Sequence, residues 1–219
     1  IVVANYAESG ASLASFISTK RFEKILSLLQ PNDYVLIEFS HNDQKRRGEG
    51  IGPWQSFTNY LKYYISSVLD KGGVPILCTP TQRRFFNDDG SLKETHGDYP
   101  DAIRKVAEEL DVWLVDVSKM TKNIYEAWGD ENSKNAFVHY PINTFPGQKE
   151  ALTDNTHFNN FGAYEISKSI VQSFRESDFG IAQYLKPNIP IYNSKSPSNF
   201  ADWTLPMSPR FEIIKPAGN

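Results

Sequence analysis

The sequence has very little cysteine and almost no net charge, and each scarcity excludes a class of protein. Its 219 residues include one cysteine, Cys78, so the chain forms no internal disulfide. Cys78 stands in an apolar, strand-like run, where a small buried hydrophobic residue is the expected role. The net charge of −3 at pH 7 does not suit the broad basic surface of a nucleic-acid-binding protein. We therefore expect no nucleic-acid partner.

Long hydrophobic runs are also lacking. The longest apolar stretches fall far short of the roughly 20 residues that span a bilayer, so we expect no membrane span. What is present is the composition of one ordinary globular domain, with 40% apolar and 22% charged residues. A chain of this length buries a large core without disulfides or a structural metal.

Apolar β-branched runs alternate with amphipathic stretches, a pattern typical of strands joined by crossover helices in a mostly parallel sheet. We predict a domain over residues 1–185 and a proline-rich, extended tail over 186–219. The segment from about 130 to 155 is predicted as a polar, irregular loop. The predicted strands are 1–6, 33–40, 74–78 and 112–117, and the predicted helices are about 12–29, 57–69, 99–110, 119–128 and 160–174.

A carboxylate and an imidazole stand three residues apart at Asp154 and His157, on the predicted loop that enters the last helix. An aspartate that accepts the Nδ1 proton of a histidine holds the ring in one tautomer and leaves Nε2 free as a general base. A serine nucleophile needs such a base. The same spacing is more often that of a helix-capping aspartate beside an incidental histidine.

Five polar residues, from Ser40 to Gln44, directly follow a hydrophobic strand. Ligands of open α/β sheets bind outside the carboxyl ends of the strands, so a site is expected there. The Asn42 side chain can donate to a developing oxyanion, or Asn42 and Asp43 can simply form a turn. His41 and Gln44 are the neighbouring candidates for contact with a substrate.

A third candidate segment runs from Asn5 to Ser12, where the first predicted strand enters a helix through Gly10. A glycine lets the backbone approach a substrate closely and offer its N–H to an oxyanion. Most glycines at such junctions only form the turn, so the presence of Gly10 does not show whether it is an oxyanion donor or a turn residue.

These three segments, in this order, resemble the SGNH hydrolases, the GDSL esterase superfamily, and within it the rhamnogalacturonan acetylesterase-like branch. The resemblance covers most of residues 1 to about 177. Three short blocks carry it: Asn5-x-Ala7-x-x-Gly10-x-Ser12, then His41-Asn42-Asp43-Gln44, and finally Asp154-x-x-His157-Phe158 followed by Gly162-Ala163.

The resemblance implies an α/β fold, a three-layer α/β/α sandwich around a flavodoxin-like parallel sheet. It also implies roles: His157 as general base, Asp154 as its orienting partner, and the Gly10 N–H and Asn42 side chain as oxyanion-hole donors. No metal or other cofactor is implied. The implied partner is an acetylated polysaccharide or oligosaccharide, and such a substrate implies a secreted or periplasmic location.

The family's first block, a Gly-Asp-Ser that supplies the nucleophilic serine, is absent from the sequence. The chain opens one strand too late, on Ile1-Val2-Val3 without an initiator methionine. Because the first strand of a flavodoxin-like sheet lies inside the sheet, its loss would leave neighbouring strands with unpaired backbone groups. We therefore expect the natural polypeptide to extend upstream of Ile1 and carry the serine there, which makes residues 1–219 inactive by themselves.

Three internal serines, Ser9, Ser12 and Ser40, lie near the ends of predicted strands and offer an alternative nucleophile. They are better explained as capping or turn residues. Ser40 also stands where the family has a glycine before His-Asn-Asp, and a serine there is strained if the position requires a positive φ.

Arginines and histidines outside the three blocks supply further candidates. Arg83 and Arg84 follow the strand 74–78, where they can meet an acidic polysaccharide such as a galacturonate backbone, or simply lie in a solvated loop. Several aromatic residues in this region can stack on sugar rings, although most are better explained as helix core: Trp54, Tyr60, Tyr63, Tyr64, Phe85 and Phe86. His96 and His139 are expected to be surface or substrate-loop histidines, and because neither has a second ligand at a metal-binding spacing, no metal site is predicted.

We predict a serine esterase that removes O-acetyl groups from a plant cell-wall polysaccharide, with pectic rhamnogalacturonan as the favoured polymer and pectin degradation as the process. A lipase or thioesterase of the same superfamily is one alternative, which an apolar acyl groove would distinguish. A non-catalytic carbohydrate-binding remnant that keeps the fold without the nucleophile is the other.

Overall fold

A parallel three-stranded sheet forms the centre of the computed structural model, which describes residues 2–204. β1 (Tyr34–Glu38), β2 (Val74–Cys78) and β3 (Trp113–Val115) lie side by side in the order β1-β2-β3. The register pairs Leu36 with Ile76, and Ile76 with Trp113. All three strands were predicted, because parallel strands covered on both faces are almost continuously apolar.

Helices cover both faces of this sheet and make three layers. Leu77 of β2 packs with buried residues of α1 (Leu13–Ser18), α2 (Arg21–Leu28), α3 (Thr58–Asp70) and α4 (Tyr99–Glu109). Its neighbours Ile76 and Cys78 face the opposite way, against α5 (Val117–Ser133) and α6 (Asn160–Glu176). The predicted three-layer α/β/α architecture and the buried Cys78 are therefore confirmed.

A second sheet lies within the segment predicted as an irregular loop. β4 (Phe137–Tyr140) pairs antiparallel with β5 (Leu152–Phe158), so that Phe137 lies opposite Phe158 and Tyr140 opposite Leu152. The loop prediction was wrong here because β5 is polar along most of its length and its regular alternation is broken by a register shift. Asp154 and His157 thus lie on a strand, not on a loop.

Two predicted helices also differ in their bounds. The helix predicted over 12–29 breaks at Lys20, whose φ of 60° is left-handed, so α1 and α2 are separate. α5 extends to Ser133 through a kink at Gly129, where φ is 74°. Among residues 2–204, no helix is long and apolar enough to cross a membrane.

The strand predicted over residues 1–6 is not formed by residues 2–6. Val2 and Val3 are each 90% exposed. β1 is one of the two edge strands of the three-stranded sheet within residues 2–204, and its Leu36 is 46% exposed. Residues 2–6 are therefore exposed and pair with no strand within residues 2–204, in spite of their β-branched composition.

The described part of the predicted tail packs on the last two helices. Glu165 of α6 is completely buried, and its Oε2 accepts hydrogen bonds from the Tyr192 hydroxyl at 3.1 Å and the Ser198 N–H at 3.0 Å. Trp128 of α5 donates to the Ser198 carbonyl at 2.8 Å. Residues 186–204 are thus tied to the domain, and the rest of the predicted tail lies outside the described residues.

Candidate active site

The aspartate and histidine of β5 form a hydrogen-bonded pair. The His157 Nδ1 and Asp154 Oδ2 atoms are 2.7 Å apart. The other carboxylate oxygen, Oδ1, accepts from the backbone N–H of Thr156 at 2.7 Å and of His157 at 2.9 Å. These three contacts hold the carboxylate against the ring, so that Nδ1–H is directed to Asp154 and Nε2 remains for a proton transfer.

Solvent reaches both members of this pair, since the His157 side chain is 70% exposed and that of Asp154 37%. Partial burial acts to raise the pKa of Asp154, but the hydrogen bonds from the His157 backbone, the His157 ring and the Thr156 backbone outweigh it and hold that pKa below its ordinary value. Asp154 is therefore ionised at neutral pH, as the partner of a histidine that gains a proton must be.

The start of α6 fixes the strand that carries this pair. Asn159 caps the helix by accepting from the Gly162 N–H at 3.1 Å, and its side-chain amide donates to the Phe137 carbonyl at 3.1 Å. A Cβ on Gly162 would lie 2.1 Å from the Ala136 carbonyl oxygen. Only glycine allows this approach, which explains why this residue type follows the Asp-x-x-His block.

Residues 40–44, here called the Asn42 loop, meet residues 5–12, the Gly10 turn, at the carboxyl end of β1. The Asn42 amide donates to the Ala11 carbonyl at 3.3 Å, and its oxygen accepts from Lys45 Nζ at 2.8 Å. Asp43 is buried and accepts from the Leu13 N–H at 3.0 Å. Gly10 has a φ of +77° and is exposed, and its N–H donates to no atom within residues 2–204. The two predicted oxyanion donors are thus brought together.

Of the three internal serines, Ser12 and Ser40 occupy structural positions, whereas Ser9 is exposed. The Ser12 hydroxyl caps α1 by accepting from the Ser15 N–H at 3.2 Å. Ser40 is 1% exposed, its hydroxyl has no hydrogen-bond partner among residues 2–204, and its φ is 144°. The backbone at Ser40 therefore has the strained conformation that favours glycine. Within the described residues, no serine hydroxyl is hydrogen-bonded to His157.

Gln44, predicted to contact substrate, supports the Asn42 loop through Arg83. With its amide oriented to suit its neighbours, the Gln44 oxygen accepts from two guanidinium nitrogens of Arg83 at 2.6 and 2.8 Å, and its nitrogen donates to the Thr95 carbonyl at 3.3 Å. Arg83 itself donates to the Thr95 carbonyl at 3.3 Å. Both residues therefore fasten the loop to the segment at Thr95.

Two histidines, His41 and His96, also lie where the Asn42 loop meets the segment at Thr95. His41 packs edge-on against His96, with ring centroids 4.5 Å apart. Burial, then the charges of His96 and Arg83, lowers the pKa of His41 to about 3, and burial with the Arg83 charge lowers that of His96 to about 4. Both rings are neutral at pH 7. The expectation of a surface or substrate-loop position for His96 was wrong, because this ring is 1% exposed.

Arg84 braces the hairpin of β4 and β5 against α5. Its Nε donates to Asn155 Oδ1 at 2.8 Å, and it donates to the Asp130 carbonyl at 2.7 Å while pairing with the Asp130 carboxylate. His139 lies 2.8 Å from the same Asn155 oxygen through Nε2. Because Arg84 is buried and its Nε and Nη1 atoms both donate to the protein, it has a structural role where the sequence had suggested a substrate contact.

The candidate site combines the side chains of His157, Asp154 and Asn42 with the backbone N–H of Gly10. No three His, Cys, Asp or Glu side chains within residues 2–204 are placed to hold a metal ion. The chemistry open to these groups is general base catalysis by His157 with oxyanion stabilisation by Asn42 and Gly10.

Comparison with known proteins finds three informative similarities. Residues 1–163 match the model of the GDSL-like lipase/acylhydrolase family. Rhamnogalacturonan acetylesterase RhgT of Bacillus subtilis (strain 168) is 38% identical over 185 residues, which cover 84% of this chain and 79% of that protein. The "Probable rhamnogalacturonan acetylesterase YesY" of the same organism is 30% identical over 178 residues, with 80% and 77% covered.

A solved structure has the same fold. The crystal structure of the Bacillus subtilis protein YxiM superposes on this chain with a TM-score of 0.67 at 23% identity. The match covers 82% of this chain and 47% of that one, so the chain spans about half of the YxiM structure.

Proposed function

The chain belongs to the GDSL-like lipase/acylhydrolase family, and from this premise we propose that it acts as a serine esterase that removes O-acetyl groups from pectic rhamnogalacturonan. The resemblance of the sequence to this family and to its rhamnogalacturonan acetylesterase-like branch is confirmed. The observation that carries the proposal is the contact of 2.7 Å between Asp154 and His157, which equips His157 to activate a serine.

The proposed reaction begins with proton transfer from the serine hydroxyl to His157 Nε2 as the serine oxygen attacks the acetyl carbonyl. Asp154 stabilises the imidazolium. The tetrahedral oxyanion accepts hydrogen bonds from the Gly10 N–H and the Asn42 amide. That amide has two hydrogens, and since the Ala11 carbonyl takes one, the other remains for the oxyanion.

Collapse of the tetrahedral intermediate releases the sugar hydroxyl, which takes its proton from His157. Water then attacks the acetyl-enzyme, again with His157 as base, and acetate leaves with the serine restored. Both acyl transfers leave all oxidation states unchanged, so the reaction needs no redox partner, and the proton of the acetic acid product passes to solvent.

We propose that the nucleophilic serine is supplied upstream of Ile1. Two observations support this: β1 is an edge strand within residues 2–204, and apolar side chains of Leu36 and Val3 remain exposed. A further strand along β1 would satisfy its backbone groups and cover Leu36, ending at the same edge of the sheet as Asn42. Residues 1–219 alone are then inactive.

The substrate assignment draws on the two relatives named as rhamnogalacturonan acetylesterases, at 38% and 30% identity. We propose a role in pectin degradation and a secreted or periplasmic location, since a pectic polymer does not enter a cell intact. The natural full-length protein is the form to examine in each experiment below.

Acetate release from acetylated rhamnogalacturonan, compared with hydrolysis of long-chain acyl esters, tests the reaction. We expect acetate release that is abolished in His157→Ala and retained in His139→Ala, a matched control on the same hairpin. A preference for long acyl chains would identify a lipase or thioesterase, and pectin binding without hydrolysis would identify a carbohydrate-binding remnant; either result overturns the proposal.

Labelling with a fluorophosphonate that reacts with activated serines, followed by peptide mapping, tests the position of the nucleophile. We expect the label on a serine that precedes Ile1. A label on Ser9, Ser12 or Ser40 would contradict an upstream nucleophile while leaving the esterase activity intact.

A further inference from the structure

An open cavity of about 560 Å³ lies beside the catalytic pair. Its walls are Phe85, Val138 of β4, Ala151 and residues 152–156 of β5, including Asp154. Because Asp154 both lines the cavity and contacts the His157 ring at 2.7 Å, a ligand in the cavity is separated from the general base by this one side chain. The volume falls in the range of about 300–1,000 Å³ that small-molecule sites occupy.

Phe85 is an exposed ring on a rigid backbone. Phe85 is 42% exposed. Its N–H donates to the Arg83 carbonyl at 3.0 Å, and its carbonyl accepts from the Lys93 N–H at 2.7 Å. The adjacent Arg84 N–H donates to the Asn155 carbonyl at 2.8 Å, and the buried Arg84 guanidinium holds the Asn155 side chain. The ring is thus preorganised without being needed by the core.

The lining combines apolar and hydrogen-bonding groups in the way a sugar requires. Phe85 and the 38% exposed Leu152 offer apolar surface for the C–H face of a sugar ring. Thr153, Asn155 and Thr156 offer polar atoms for hydroxyl groups. An acyl chain in the same place would cover these polar atoms without pairing them, which is unfavourable.

Charge selects the kind of sugar. The one ionised side chain in the lining is Asp154, whose hydrogen bonds keep its pKa below the ordinary value. A uronate carboxylate placed there would be repelled, whereas a neutral sugar would not. The nearby Arg83 guanidinium is directed to Gln44 and Thr95.

From this cavity we infer that Phe85 forms a subsite for a neutral sugar residue next to the acetylated one, with the ring of Phe85 stacked on the sugar. The inference rests on the proposed function, because it names the polymer unit that the same site recognises. It gives the esterase a means to prefer a polysaccharide over a simple acetyl ester, since only the polymer reaches both the subsite and the catalytic pair.

The test compares Phe85→Ala, Phe85→Tyr and Tyr184→Ala in the natural full-length protein. Tyr184 is a matched control: it is 51% exposed and packs edge-on against Tyr34, at the opposite end of β1 from the site. For each protein, kcat/KM is measured on acetylated rhamnogalacturonan oligosaccharides and on 4-nitrophenyl acetate. The ratio of the two values reports recognition of the sugar chain.

We expect this ratio to fall about tenfold in Phe85→Ala, through a higher KM for the oligosaccharide, because one aromatic stacking contact is removed. Phe85→Tyr, which keeps the ring, restores the ratio, and Tyr184→Ala leaves it unchanged. A ratio in Phe85→Ala within twofold of the parent protein overturns the subsite. Absence of hydrolysis of both esters by the parent protein would instead overturn the proposed function.

Calorimetric titration with unacetylated oligosaccharides tests the subsite even if the parent protein hydrolyses neither ester. Binding of oligosaccharides that contain neutral sugars weakens about tenfold in Phe85→Ala, while binding of oligosaccharides made only of galacturonate does not change. Equal affinity of the parent protein and Phe85→Ala for the neutral-sugar oligosaccharides refutes the inference, whatever the catalytic result.

Discussion

Replacement of Arg84 by alanine separates two roles for this residue, which predict opposite outcomes. As a substrate contact, Arg84 would affect KM and leave stability unchanged. As the brace that the structure describes, it holds Asn155 and Asp130, so its loss loosens the hairpin of β4 and β5 from α5. We expect the second outcome, a marked loss of stability.

The magnitude follows from the partners of the guanidinium. The Arg84 side chain is 7% exposed, whereas that of Asp130 is 57% exposed and is rehydrated when the arginine is removed. Asn155 Oδ1 keeps its contact with His139 at 2.8 Å. The guanidinium donates two hydrogen bonds, to Asn155 Oδ1 and to the Asp130 carbonyl, and a hydrogen bond to a charged group is worth about 1.5–3 kcal/mol. Because the partners regain other contacts, we take the low end of this range and discount the ion pair with the exposed Asp130 carboxylate, which gives a total of about 3 kcal/mol. For a chain of this length, we expect Tm to fall by about 6–12 °C.

Thermal unfolding followed by circular dichroism measures this effect. Arg83→Ala is the matched control, since the neighbouring arginine is only partly buried and its partners Gln44 and Thr95 are elsewhere; it should change Tm far less. Arg84→Lys, which keeps the charge but not the forked geometry, should fall between them. A Tm for Arg84→Ala within about 2 °C of the parent protein, together with a raised KM on acidic oligosaccharides, would refute the structural role.

Three further outcomes can be measured in the natural full-length protein. Asn42→Ala should lower kcat by about 10²–10³ without unfolding, because one oxyanion donor is lost; an unchanged kcat in a steady-state assay would remove Asn42 from the site. Ser40→Gly should raise stability by about 1 kcal/mol in urea unfolding, since relief of the positive φ exceeds the entropic cost of glycine; a lower stability would contradict the strain. Burial and the Arg83 charge lower the pKa of His96 from 6.5 to about 4, so the unfolded chain takes up the proton first and stability is lost as pH falls from 6.5 toward 4. His96→Asn should reduce that slope by about 1.4 kcal/mol per pH unit, and equal slopes would contradict a buried neutral ring.

The central sheet could be predicted from the sequence because the strands of a parallel sheet between two layers of helices are mostly apolar. Val74–Cys78 has the predicted bounds, and Val35, Ile37 and Leu77 show the same signal. The hairpin could not be predicted in this way. Its strand β5 carries Asp154, Asn155 and His157, whose polar side chains serve hydrogen bonding and conceal any alternation of apolar residues.

By itself, the sequence determined the alternation of strands and helices, the family blocks, and the residue types able to act as base, carboxylate and amide donor. These depend on local pattern and on spacing along the chain. Only the tertiary structure decided the partners of the two arginines, which are neighbours in sequence. Arg83 binds Gln44, whereas Arg84 is buried and pairs with Asp130. The tertiary structure likewise decided that His96 is buried, and it placed Phe85 beside Asp154. Such pairings join residues that are far apart in the chain, and packing sets them where local pattern carries no signal.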